Sequence, residues 1–208
     1  TTPSPSPSAP EQPSGPITVE TPSTPPTPPV TPEPTTPSQP AIHWDANLEY
    51  TKFSAAQKAK VEAAVELMRK VIASDAFKSA VINHKYNGKL TYVDNGGYTN
   101  EQVYQIILDG AEKMGDTSKN GKMDAELELY YANTSTVGYT YANVLRIWMN
   151  TKFFNSYTTA EVAHNLMHEW LHKLGFGHAS SYSTSRDYSV PYAIGEIMNS
   201  LAEKVDKL

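Results

Sequence analysis

The chain of 208 residues contains no cysteine. That excludes a disulfide framework, a thiolate nucleophile and any thiolate-ligated metal. It has no apolar run of transmembrane length. It also has no block or stripe of basic residues, so nucleic acid is not an expected partner. Proline is nearly absent from most of the chain: all but one of its 16 prolines fall in the first 40 residues, the exception being Pro191. Histidine is scarce as well, six in all.

What the first 40 residues do contain is proline interleaved with Thr and Ser, as in TPSTPPTPPVTPEPTTPSQP. Such a stretch has too little apolar surface to offset the entropy of ordering it. Its prolines bias the backbone toward polyproline II. Residues 1–40 therefore read as a disordered stalk, reaching about 3.1 Å per residue when extended. Three of the 22 acids (Glu11, Glu20, Glu33) and none of the 17 bases lie there, which leaves residues 41–208 near charge balance. That remainder has the size of one ordinary domain and can bury a core. A stalk leading into one domain, in a chain that starts without Met, points to a processed protein that is secreted or displayed at the cell surface. A monomer is expected.

Within the domain, SAAQKAKVEAAVELMRKVIAS (54–74) carries apolar residues at helical spacing. A short strand is expected near Lys89–Val93. A second helix is expected over 99–114, with Thr99 and Gln102 at capping-box spacing. Residues 125–131 (AELELYY) alternate like a half-exposed strand, with Leu127, Leu129 and Tyr131 on one face. GYTYA (138–142) reads as a short strand and VLRIWM (144–149) as a buried one. TTAEVAHNLMHEWLHKLG is a helix opened by Thr158 and Glu161 and stopped by Gly175. A polar loop then leads to a final helix. The order implies an α+β fold. GDTSKNGKMDAE places Asp116, Ser118, Asn120, Gly121 and Asp124 at EF-hand-like positions. The twelfth position, where a bidentate Glu belongs, is Leu127, so a turn is the better reading.

Four of the six histidines crowd into HNLMHEWLHKLGFGH (164–178). His168 and His172, four apart on a helix, project from one face and suit a shared metal ion. Glu169, about 100° around the helix, suits a general base acting on a metal-activated water. Gly175 permits a chain reversal that lets His178 supply a third nitrogen. Three protein ligands and one open position describe a catalytic zinc. His164, one turn earlier, is expected beside the ligands and not among them.

The string HEWLHKLGFGH (168–178) resembles the HExxHxxGxxH signature of the metzincin metallopeptidases. The resemblance implies that His168, His172 and His178 hold one Zn2+ ion and that Glu169 polarises the attacking water. It implies a small domain with a twisted, mostly parallel five-stranded sheet, an antiparallel edge strand over the cleft, an active-site helix and a C-terminal helix. The strand around Gly138–Ala142 would be that edge, pairing with an extended peptide substrate. The group also has a methionine in a tight turn beneath the metal, for which Met198 is the candidate. A tyrosine donor to the oxyanion would come from Tyr182, Tyr188 or, preferably, Tyr192. Two features depart from the astacin-like pattern: Ser200 stands where a Tyr follows the methionine, and Ala179 where a Glu follows the third histidine. The implied activity is zinc-dependent endopeptidase action on protein or peptide substrates. Two alternatives stand beside it. One is a gluzincin-type peptidase using Glu196 as third ligand. The other is a surface zinc-binding module without catalysis, to which Glu169 would be superfluous. Glu11, Glu20 or Glu33 of the stalk would be the acids available to cap the zinc in a latent form.

Overall fold

The structure, a computed structural model, describes residues 42–205. The expected stalk, with Glu11, Glu20 and Glu33, lies outside the described residues. The fold is α+β, with helices on one face of a four-stranded sheet. The strands are β1 (Asp45–Thr51), β4 (Lys122–Tyr130), β5 (Gly138–Thr140) and β6 (Arg146–Asn150), in the order β1-β4-β6-β5. The β1–β4 and β4–β6 pairs are parallel, whereas β5 runs antiparallel to β6 at the edge. The sheet is therefore mostly parallel with an antiparallel edge strand, as expected, but among the described residues it has four strands and not five. The expected strand at Lys89–Val93 is a separate hairpin of β2 (Lys85–Tyr86) and β3 (Lys89–Leu90). Among the described residues, no helix is long and apolar enough to cross a membrane.

Alternation decides which face of the sheet is covered. Met123, Ala125, Leu127 and Leu129 of β4 are buried, and Ile147 and Met149 of β6 join them. The outer face carries Glu126, Glu128, Arg146 and Trp148, each half-buried. Arg146 pairs there with Glu126 at 2.7 Å and with Glu128 at 3.0 Å. The reading of 144–149 as fully buried is thus corrected: the strand is one-sided, because its charges pair across strands on the open face. Tyr131 lies beyond the end of β4 and is exposed.

The helices begin where their caps stand. Ser54, Thr99 and Thr158 each cap the next helix, with Gln57, Gln102 and Glu161 closing the reciprocal bond, for α1 (Ala55–Ile72), α3 (Asn100–Asp109) and α5 (Thr159–Lys173). The expected first helix is followed by a separate one, α2 (Asp75–Ile82), capped by Ser74. A one-turn helix, α4 (Thr151–Phe154), follows β6. The final helix, α6 (Val190–Val205), packs against α5, and α1 packs against both.

The expected helix over 99–114 ends at Asp109 because Gly110 adopts a left-handed φ of 62°. A Cβ at that position would lie 2.3 Å from the backbone oxygen of Lys122. The loop that follows is a turn: Asp116 accepts the Ser118 N–H at 2.9 Å, and Asn120 accepts the Lys122 N–H at 2.8 Å. Gly110→Ala meets both the φ penalty and a backbone clash, so it is expected to cost about 2 kcal/mol or more, read as a fall in the midpoint of urea unfolding with little change in its slope.

Candidate metal centre and cleft

The three histidines converge because one turn is built to reverse the chain. At the end of α5 the Gly175 N–H bonds to the His172 carbonyl at 3.2 Å, and the Phe176 N–H reaches the Leu171 carbonyl at 3.1 Å. This paired closure needs a residue at positive φ, and Gly175 has φ 99°. Phe176 and Leu171 are both buried, so the reversal is also held by apolar contact. It returns the chain so that ligand nitrogens of His168, His172 and His178 all lie within 4.8 Å of one another.

Two of the three imidazoles are oriented by main-chain acceptors. Nδ1–H of His172 donates to the Phe176 carbonyl at 2.8 Å, and Nδ1–H of His178 to the Ala179 carbonyl at 3.0 Å. The His168 ring is instead placed by packing, edge-on to His172 and to Tyr192 of α6. A backbone acceptor on one nitrogen fixes ring and tautomer, leaving the other nitrogen as a ligand. Burial, and then the neighbouring imidazoles, push His168 down to about 2. Burial also lowers His172. Neutral imidazoles are what a metal ion requires. Among the described residues this is the group able to hold a metal ion.

Glu169 is buried beside the histidines, and burial pushes its carboxyl up to about 8, with the Lys173 ammonium pulling the other way. The Tyr192 ring centroid is 4.6 Å from that of His168 and 4.7 Å from that of His178. Tyr182 is well exposed, and Tyr188 leans on Tyr86 and His84. Of the three tyrosines considered, Tyr192 is the one whose ring packs on these imidazoles. Glu196, the alternative third ligand, instead sits on the exposed side of α6, 3.9 Å from His164. Met198 is fully buried within α6 and does not occupy a tight turn, so the expected methionine turn is replaced by helix, which starts eight residues earlier at Val190. Trp170 fills the interior on the far side of α5, edge-on to Trp44, with its N–H on Glu112 at 2.5 Å.

The site opens on a cleft with two arms, of about 720 Å³ and about 470 Å³. Both are lined by Gly138, His168, Glu169 and Tyr192. Edge strand β5 forms one wall, and among the described residues it pairs only with β6.

Three residues that shape this arrangement carry little sequence signal. Lys173 looks like an ordinary basic residue in a last helical turn, yet it is 2 % exposed and its amine donates to the carbonyls of Tyr141 (3.0 Å), Arg146 (3.1 Å) and Val144. Gly195, on α6, lets that helix close on α5: a Cβ there would stand 3.1 Å from the His164 ring. Arg186, in a loop of serines and tyrosines, lines the larger arm of the cleft. No protein-family model matches the chain, and no curated protein matches it at a significant level.

Replacing any one of His168, His172 or His178 by Ala is expected to weaken divalent-metal binding by more than about 100-fold, the upper end of what losing a supporting hydrogen bond does. Glu169→Ala is expected still to bind one ion per chain. Competition with a coloured chelator reads both.

Proposed function

We propose that the chain is a zinc-dependent endopeptidase of metzincin type, a secreted or cell-surface monomer acting on protein or peptide substrates. The observation that carries this reading is the joining of three converging imidazoles with a buried carboxylate on the same helix, at the floor of a cleft walled by an edge strand with a free side. The donor set fits zinc: three imidazole nitrogens, two of the rings oriented from behind by a carbonyl, with no sulfur and no further carboxylate among the described ligands. A structural site would need a fourth protein ligand.

When bound by the three histidines, zinc supplies Lewis acidity to water and to the scissile carbonyl. The chain's own residues do the rest. The free edge of β5 gives an extended peptide a partner for main-chain hydrogen bonds, which holds the substrate across the cleft. Glu169 takes a proton from the attacking water and passes it to the departing amine. Burial raises its pKa in the metal-free chain, the direction that makes a carboxylate a stronger base. Tyr192, against His168 and His178, is placed to donate its hydroxyl to the developing oxyanion. Burial of Glu169 supports this reading over a plain binding module, since placing a carboxylate there is costly and a zinc-binding surface has no use for it.

The test is cleavage of a proteome-derived peptide pool by zinc-loaded wild type beside Glu169→Ala, read by mass spectrometry. Cleavage is expected for the wild type and a drop of about 10²–10⁴-fold in kcat for the variant. Equal cleavage by both, or cleavage by neither with zinc bound, would sink the proposal. Tyr192→Phe is expected to lower kcat by about 10²-fold with little effect on KM, the mark of a donor engaged only in the transition state.

A further inference from the structure

The larger arm of the cleft contains a cation that pairs with no acid among the described residues. Arg186 stands in the one-turn 3₁₀ segment Arg186–Tyr188 and is half-buried. Its guanidinium lies 4.7 Å from the Tyr192 ring centroid and 5.3 Å from that of Tyr182. It is thereby held against two aromatic rings, one of which packs on the metal-site imidazoles. Among the described residues its side chain makes no ion pair, and its buried Nε has no hydrogen-bond partner. The acids of the same arm are otherwise engaged or turned outward. Glu161 closes the cap of α5 through Thr158, Glu196 is largely exposed and nearest His164, and Glu169 lies beside Lys173.

A guanidinium clamped by rings keeps its N–H edges in one plane, the arrangement that receives a carboxylate by paired hydrogen bonds. Arg186 is also only one aromatic ring removed from the metal site, within reach of a residue flanking the scissile bond. We infer that Arg186 is a specificity-determining residue that selects a carboxylate next to the bond to be cut. This rests on reading the cleft as a peptide site. The carboxylate comes either from an Asp or Glu side chain or from the free C-terminus of the peptide, and the two share one recognition chemistry.

Binding to zinc-loaded Glu169→Ala, measured by calorimetry, tests it without turnover. Each position of a bound peptide is set in turn to Glu and to Gln, and successively truncated peptides are compared as free acid and amide. At one position the carboxylate form is expected to bind about tenfold tighter than its neutral twin. Adding Arg186→Gln is expected to erase that difference, and Arg186→Lys to keep part of it, since a point charge without the planar fork retains attraction but not paired bonding. A Glu/Gln difference assigns a side-chain carboxylate, and an acid/amide difference assigns the terminus. No discrimination anywhere, no peptide binding at all, or discrimination that survives Arg186→Gln would overturn the assignment. Wild-type protein that leaves intact the peptides bound by Glu169→Ala would instead count against the peptidase reading, with the carboxylate preference standing.

Discussion

The Lys173 amine, enclosed by three carbonyl oxygens from the connection between β5 and β6, fixes the far end of α5 against the edge of the sheet. Burial pushes this lysine down to about 8, so the fold keeps an ammonium where water would hold it more comfortably. The cost is offset because all three N–H donors find acceptors. The carbonyl of Lys173 itself receives the Lys113 N–H at 2.8 Å, which ties the segment after α3 to the same point. The width of the cleft follows from this clasp. Edge strand β5 forms its wall and α5 its floor, and neither is free to move away from the other at that end. Glu169, one turn before Lys173, then has a fixed distance to both the histidines and the sheet edge.

Two glycines set the remaining dimensions. A Cβ on Gly138 of β5 would meet the Asn165 side chain at 3.0 Å, and one on Gly195 of α6 would meet His164 at 3.1 Å. Both walls therefore approach α5 through positions without a side chain, one turn before His168. The helix between them is buried over most of its surface, which is unusual for a segment carrying six ionisable residues. Packing of this kind removes rotamer freedom from the site's side chains in advance of any ligand, so orientation is settled by folding.

How much of this was legible depends on how local each signal is. Capping boxes at Thr99 and Thr158, the stop at Gly175 and the spacing of the three histidines are contained within about ten residues, and all three appear where expected. The short strand at Gly138 was also readable, whereas its place as the antiparallel edge was what the metzincin resemblance implied. Strand β1 was not legible: Ala46, Leu48 and Tyr50 alternate with Asp45, Asn47 and Glu49, but the apolar members are weak and only half-buried, since this edge of the sheet is partly open. The helix over 99–114 was overextended because the left-handed turn at Gly110 is imposed by Lys122, a partner distant in sequence. Lys173 and Arg186 escaped for the same reason. Their roles are defined by what surrounds them, a ring of carbonyls in one case and a pair of tyrosines in the other, and neither environment leaves a trace at a fixed sequence offset.

The supporting contacts of the three histidines reveal how the site and the fold depend on each other. His172 is held by the carbonyl of Phe176 in the reversing turn and His178 by that of its neighbour Ala179, while the Tyr192 ring in the first turn of α6 packs on His168 and His178. An ion drawing the three rings together thus also draws together α5, the turn after it and the first turn of α6. Tyr192 and Arg186 lie on that last connection, so the same closure that gathers the ligands positions the proposed oxyanion donor and the carboxylate receptor. A ligand bound only by the folded chain stabilises it by about 2.7 kcal/mol at a concentration 100 times its Kd. Here that gain falls on the junction between α5 and α6, where Gly195 has already removed the side chain that would hold the helices apart.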